Sequence, residues 1–88
     1  MKIREGFAKR KIGGRYIVVA TGDLSKEMNI IIEMNDTSSD IWDLIAQGKT
    51  IDEIAQALSE KYAISVEKAK ADTEKLIEQM AAAGVFEK

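Results

Sequence analysis

The chain has 88 residues, 32% of them charged, with no cysteine and no histidine. That inventory excludes disulfide scaffolds, thiolate zinc sites, cysteine–histidine catalysis and histidine acid–base chemistry. A formal net charge of −2 supplies no bulk field for nucleic acid.

One domain spanning residues 1–88 is expected, since a chain this short buries roughly 60–65% of its unfolded surface around a single core. Residues 1–35 hold seven Lys/Arg against four Asp/Glu, and residues 36–88 hold six against eleven, a basic front and an acidic back. Proline is absent, so glycine and polar clusters punctuate the chain. Phe7 to Ile12 reads as a first strand. Gly13-Gly14 is a tight turn between two apolar-rich runs, a hairpin signal. Arg15 to Thr21 reads as a second strand; its "YIVVA" is apolar on both faces, as a central strand requires. "TGDLSKE" reads as a loop. Met28 to Met34 is a third strand, with Met28, Ile30, Ile32 and Met34 on one face and Asn29, Ile31 and Glu33 on the other. The simplest arrangement is an antiparallel meander in the order 1-2-3.

Three helices follow. The first is capped by Thr37, Ser38 or Ser39, buries Ile41, Leu44 and Ile45, and stops at Gly48. The second opens on the capping-box pattern T-x-x-E, Thr50 to Glu53, and repeats Ile51, Ile54, Ala55, Leu58 and Tyr62 at helical spacing. The third is capped by Ser65 and lines its inner face with Val66, Ala69, Thr73, Leu76, Ile77 and Met80. Gly84 suits the left-handed position after a helix, with Val85 folding back onto the last turn. The fold class is therefore α+β, a three-stranded antiparallel meander followed by three helices in a winged helix-turn-helix-like outline.

Nothing organises the serines, threonines, lysines and carboxylates into a catalytic set. Asp40, Asp43, Asp52 and Glu53 sit at helix starts, where a carboxylate complements the macrodipole and caps free N–H groups. No oxygen-ligand loop predicts a metal, and no cofactor motif is present. Trp42, beside Ile41, reads as packing. The final helix has the outline of a DNA-reading helix but the wrong charges: Lys68, Lys70 and Lys75 stand against Glu67, Asp72, Glu74 and Glu78, with no arginine.

The sheet margins are more telling. Strand 1 carries Lys9, Arg10 and Lys11, which discourage edge-to-edge pairing. Strand 3 carries only Glu33 within "NIIIEM". A bare β-prone edge is a template for an incoming strand, from another copy or a different peptide, unless the chain covers it.

Three stretches taken together, "GFAKRKIGGRYIVVATGD", "MNDTSSDIWDLIAQGKTIDEIAQALSEKYAIS" and "KADTEKLIEQMAAAGVF", resemble the PqqD-like family. These small proteins are named for pyrroloquinoline quinone synthesis protein D and are also known as RiPP recognition elements, after the ribosomally made, post-translationally modified peptides. The resemblance rests on Asn35, Thr37, Ile41, Trp42 and Leu44; on Gly48, Thr50, Glu53 and Ile54; and on Ala71, Asp72, Leu76, Ile77, Met80 and Gly84. It implies a non-catalytic adaptor, or peptide chaperone. The leader of a precursor peptide would add as a strand to strand 3 against the last helix, for presentation to a modifying enzyme of the radical S-adenosylmethionine type. It further implies that Asn29, Ile30, Ile31, Ile32 and Glu33 supply the backbone pairing, and that Ala69, Asp72, Thr73, Leu76 and Met80 line the groove. Thr73 and Leu76 depart from the larger aliphatic residue and the phenylalanine frequent at those family positions. The alternatives are a homodimer paired through the strand 3 edge and a winged-helix DNA-binding regulator. No apolar run is long enough to span a bilayer and no signal-peptide pattern precedes the domain, so a cytoplasmic location is expected.

Overall fold

The computed structural model describes residues 1–28 and 30–87. Three antiparallel strands, β1 (Phe7–Ile12), β2 (Arg15–Ala20) and β3 (Ile31–Met34), form one sheet in the order β1-β2-β3. Four helices accompany it: α1 (Leu24–Glu27), α2 (Asp36–Ala46), α3 (Ile51–Tyr62) and α4 (Val66–Ala82). The meander and the three later helices follow the sequence pattern. Two boundaries do not. The segment "TGDLSKE", expected as a loop, closes one helical turn because Leu24 drops its side chain into a buried site. The third strand, expected from Met28, pairs with β2 only from Ile31, although Met28 is itself extended.

The caps explain the helix starts. Asn35, not Thr37, Ser38 or Ser39, caps α2: its Oδ1 accepts the Ser38 N–H at 2.8 Å, so the helix starts directly behind β3. Thr50 and Glu53 form the reciprocal capping box, with the Glu53 N–H donating to Thr50 Oγ1 at 3.1 Å and the Thr50 N–H to Glu53 Oε1 at 2.9 Å. Ser65 caps α4 through the Lys68 N–H at 3.1 Å. At the far end of α4, Gly84 at φ +78° turns the chain back. The Val85 N–H then bonds the Met80 carbonyl, the Gly84 N–H bonds the Ala81 carbonyl, and Val85 is fully buried. This tail meets the chain's start: the Arg4 N–H donates to the Val85 carbonyl at 2.9 Å, the Glu87 N–H to the Lys2 carbonyl at 2.7 Å, and Ile3 pairs with Phe86.

The core lies between the sheet and the helices. Val18 of β2 and Ile32 and Met34 of β3 pack with Ile41, Trp42 and Ile45 of α2, Ile54 and Leu58 of α3, and Ala69, Leu76 and Met80 of α4. Each fully buried large aliphatic among them contributes about 1.5–3 kcal/mol relative to exposure. The Trp42 ring stands edge-on to Phe7 of β1 at 6.0 Å, so it fills the core as its position beside Ile41 suggests. Lys9 departs from expectation. It pairs with Val18 and so points to the helix side, where its ammonium donates to Asp43 Oδ1 at 2.6 Å and to the buried Ser39 Oγ at 2.7 Å. Instead of dressing the margin of β1, it ties β1 to α2. Arg10 and Lys11 remain exposed.

Candidate peptide-binding edge

The strand register determines which backbone groups of β3 are free. The loop Gly13-Gly14 closes on the pair Ile12–Arg15, so every second pair beyond it, Arg10–Ile17 and Ala8–Val19, exchanges backbone hydrogen bonds. The Thr21 N–H to Gly6 carbonyl bond, 2.7 Å, continues that series. β2 therefore turns the N–H and C=O groups of Tyr16 and Val18 toward β3, where they meet Met34 and Ile32. The N–H and C=O groups of Ile31 and Glu33 are left pointing away from the sheet. No described backbone segment pairs with that side of β3.

The side chains alternate the other way. Ile32 and Met34 are buried beneath the helices, whereas Ile31 is 69% exposed and Glu33 reaches Arg15 at 3.5 Å on the uncovered face. Ile30 is half-buried against the core. Asn29, expected in the pairing edge, lies outside the described residues.

At the carboxyl end of β3 a cavity of about 280 Å³ opens between the start of α2 and the flank of α4. Asn35, Thr37, Ser38 and Ile41 form one wall; Asp72, Lys75, Leu76 and Gln79 form the other. At the opposite end, Met28 runs close to the tail of α4: a Cβ on Gly84 would lie 3.4 Å from Met28 Cε. A second concavity of about 850 Å³, lined by Arg4, Glu27, Gly84 and Phe86 among others, opens there. Met28, ahead of β3, thus lies near the tail of α4, and Asn35, directly after β3, lies at the hollow beside Asp72 and Leu76.

Of the five helix residues expected to line a groove, Asp72 and Leu76 do line the cavity. Asp72 is half-buried and meets Lys68 at 3.6 Å, one helical turn away. Ala69, Thr73 and Met80 are fully buried, and the Thr73 hydroxyl is spent on the Ala69 carbonyl at 2.8 Å. They hold α4 against the core. Lys75, Gln79 and the α2 residues complete the lining, and neither periodicity nor the family resemblance marks them as such. Lys75 and Gln79 sit three residues beyond Asp72 and Leu76, the neighbouring row on the same helix surface.

The perturbed ionisable groups lie elsewhere. Burial pushes the Asp40 carboxyl up, but hydrogen bonds from Lys61 and Tyr62 and the charges of Lys61 and Lys9 outweigh it and leave the pKa below its ordinary 3.8. The same contact raises Lys61 and Tyr62. Glu53 is lowered by the backbone and then the side chain of Thr50. These groups lock α2 to α3 and cap α3. Among the described residues no cluster of three or more His, Cys, Asp or Glu could hold a metal ion, and no helix is long and apolar enough to cross a membrane.

Comparison with known proteins agrees with this architecture. The family model described as coenzyme PQQ synthesis protein D (PqqD) matches residues 17–85. No curated protein matches the chain in sequence. Among solved structures, TbiB1 in complex with the TbiA(beta) leader peptide superposes with a TM-score of 0.78 at 20% identity, covering 99% of this chain and 95% of that one. Lasso peptide synthetase B1 complexed with the leader peptide superposes with a TM-score of 0.75 at 17% identity, covering 94% and 92%.

Proposed function

This chain belongs to the PqqD family, and on that premise we propose that it is a non-catalytic adaptor that binds the leader of a ribosomally made precursor peptide. The leader adds as a strand outside β3, beside α4. One observation carries the reading: the N–H and C=O groups of Ile31 and Glu33 point away from the sheet, and Asn35, the residue directly after β3, lines the cavity walled by Asp72 and Leu76. Main-chain pairing along the edge supplies sequence-tolerant affinity, and side chains entering the hollows add selectivity. The polar walls of Asn35, Ser38, Lys75 and Gln79 favour a leader with a hydrogen-bonding side chain at that end. Ordering a disordered leader costs a few kcal/mol, so affinity falls at about 0.1–10 µM. The adaptor would work in the cytoplasm and hand its peptide to a modifying enzyme, of the radical S-adenosylmethionine type in the family it resembles. Both fold neighbours were solved with leader peptides, which supports the same use of the fold.

The DNA-reading alternative loses further ground. Two of the three lysines of α4 are paired, Lys68 with Asp72 and Lys70 with Asp52, each at 3.6 Å. A homodimer zipped through β3 would compete for the same backbone groups as the leader.

The test is a titration of isotope-labelled protein with the synthetic leader of the precursor encoded nearest its gene, with the TbiA(beta) leader as comparison. Amide shifts concentrated at Ile31, Glu33 and Asp72 to Gln79 are expected. Saturable binding that leaves those amides unmoved would overturn the reading.

A further inference from the structure

The hollow between α2 and α4 offers more free donors than free acceptors. Ile41 and Leu76 are buried and form its apolar floor; its other lining residues carry polar groups. Asn35 Oδ1 is already occupied by the Ser38 N–H at 2.8 Å, which leaves the amide nitrogen as the free end of that side chain. Among the described residues the hydroxyls of Thr37 and Ser38, the Gln79 amide and the Lys75 ammonium have no hydrogen-bond partner.

The two charged residues of the lining are not equivalent. Asp72 already has a cation, Lys68, at 3.6 Å one turn behind it. Lys75, one turn ahead, has no carboxylate within 4 Å among the described residues. The Glu33 carboxylate is turned to Arg15 on the open face of the sheet. A carboxylate entering the hollow gains Lys75 and meets neutral donors around it. A cation entering it faces Lys75 and competes with Lys68 for Asp72. A neutral amide gains hydrogen bonds without the charge pairing.

We propose that this hollow selects an acidic side chain of the leader, with Lys75 as the specificity-determining residue. The proposal rests on the peptide reading above and adds the chemical class of the side chain read at that end. The floor of Ile41 and Leu76 receives the methylene stem, and Lys75 with the donors of Asn35, Ser38 and Gln79 receives the carboxylate. Asn35 stands two residues past Glu33, roughly 7 Å along an extended chain. The acidic residue therefore lies two or three positions beyond the leader residue that pairs opposite Glu33. A half-open hollow screens the pair in part, so its effect is moderate and fades with salt.

The test is a set of isothermal titrations at low salt with the synthetic leader of the precursor encoded nearest the gene, each of its acidic residues changed in turn to glutamine and to lysine. Lys75 is exposed, and circular dichroism checks that its variants are folded. Lys75→Gln should weaken binding about 3–5-fold and Lys75→Glu at least ~10-fold, with the Ile31 and Glu33 amides still shifting. One acidic leader position should lose affinity as glutamine, and its lysine form should bind the Lys75→Glu protein within ~3-fold of the native pair. Lys70→Glu, a reversal on the same helix at a residue paired with Asp52, should bind the leader as the wild type does. A leader that moves the Ile31 and Glu33 amides but has no acidic position coupled to Lys75 overturns this inference and leaves the peptide reading standing. An equal loss in Lys70→Glu assigns the effect to the overall field and overturns it as well. No binding, or binding that leaves those amides unmoved, overturns the peptide reading and this inference with it.

Discussion

The two margins of one sheet have the same chemistry and different fates. β1 and β3 each turn alternate backbone N–H and C=O groups outward, those of Phe7, Lys9 and Lys11 on one side and those of Ile31 and Glu33 on the other. Beside β1 stand basic side chains, one of them clamped to α2. Past the carboxyl end of β3, from Asn35 on, the start of α2 and the flank of α4 wall a hollow, and a second opens between Glu27 and the tail of α4. Unpaired backbone alone does not make a binding site. It becomes one when a second surface stands close enough to grip the incoming side chains, and when no charge penalises the strand that arrives.

Proline substitutions break this comparison most sharply. The Ile32 N–H pairs with β2 and its side chain is 6% exposed, so Ile32→Pro removes a ladder bond and a core side chain together. It should cost about 3 kcal/mol or more in chemical denaturation. One residue earlier the outcome inverts. The Ile31 N–H faces outward, where proline is tolerated, so Ile31→Pro should shift stability by less than ~1 kcal/mol. It should weaken binding of the synthetic leader at least ~30-fold by isothermal titration. Normal binding by the Ile31→Pro variant would show that the leader uses another surface.

Next comes the entry to β1. Gly6 has φ +107°, and a Cβ there would lie 2.9 Å from Leu24 Cβ and 3.0 Å from its Cδ2. The Gly6 carbonyl also accepts both the N–H and the hydroxyl of Thr21. Gly6→Ala should therefore cost about 2–3 kcal/mol through strain and a displaced Leu24, read from the denaturation midpoint. Leader binding at the opposite margin should keep its affinity, scaled only by the folded fraction.

Which of these features the sequence reveals follows from how local their causes are. Strand order, the Thr50–Glu53 capping box, the Ser65 cap and the Gly84 reversal depend on neighbours within a few residues, and periodicity or spacing shows them. The α2 cap is not legible within a run of five competent residues, Asn35 to Ser39, because which of them takes β conformation depends on where β3 ends. The turn of α1 rests on Leu24 being buried by Gly6, a contact between residues 18 positions apart. The role of Lys9 is hidden for the same reason: its partners Ser39 and Asp43 lie 30 and 34 residues away. At the candidate site, the bare edge was legible because it is a property of one strand. The division of α4 into buried Ala69, Thr73 and Met80 and cavity-facing Asp72, Lys75, Leu76 and Gln79 was not, because both sets lie within half a helical turn and only packing separates them.

Lys9 sharpens the contrast from the β1 side. Replacing it with alanine leaves the buried Ser39 hydroxyl and the Asp43 carboxylate without their donor. A cost of about 1–2 kcal/mol at neutral pH is expected. If the clamp holds β1 against α2, hydrogen exchange in β1 should rise while that of β3 stays put.

The smallest effect is expected at neither margin. Asp40 binds Lys61 and Tyr62 across the junction of α2 and α3, with the Lys61 ammonium 2.8 Å from Oδ2. Its pKa is depressed below 3.8, so the folded state holds this proton less tightly than the unfolded chain does. The stabilisation is therefore fully present above the unfolded pKa and is lost as pH falls through the folded one. Asp40→Asn should cost about 1 kcal/mol at pH 7 and progressively less as pH falls through the lowered pKa of the folded state. Leader affinity at pH 7 should be unchanged, because none of Asp40, Lys61 and Tyr62 lines the cavity between α2 and α4. A pH-independent loss of stability in Asp40→Asn would mean that the side chain acts through packing or a neutral hydrogen bond. A fall in leader affinity would mean that the α2–α3 junction helps set the position of α4 beside the edge.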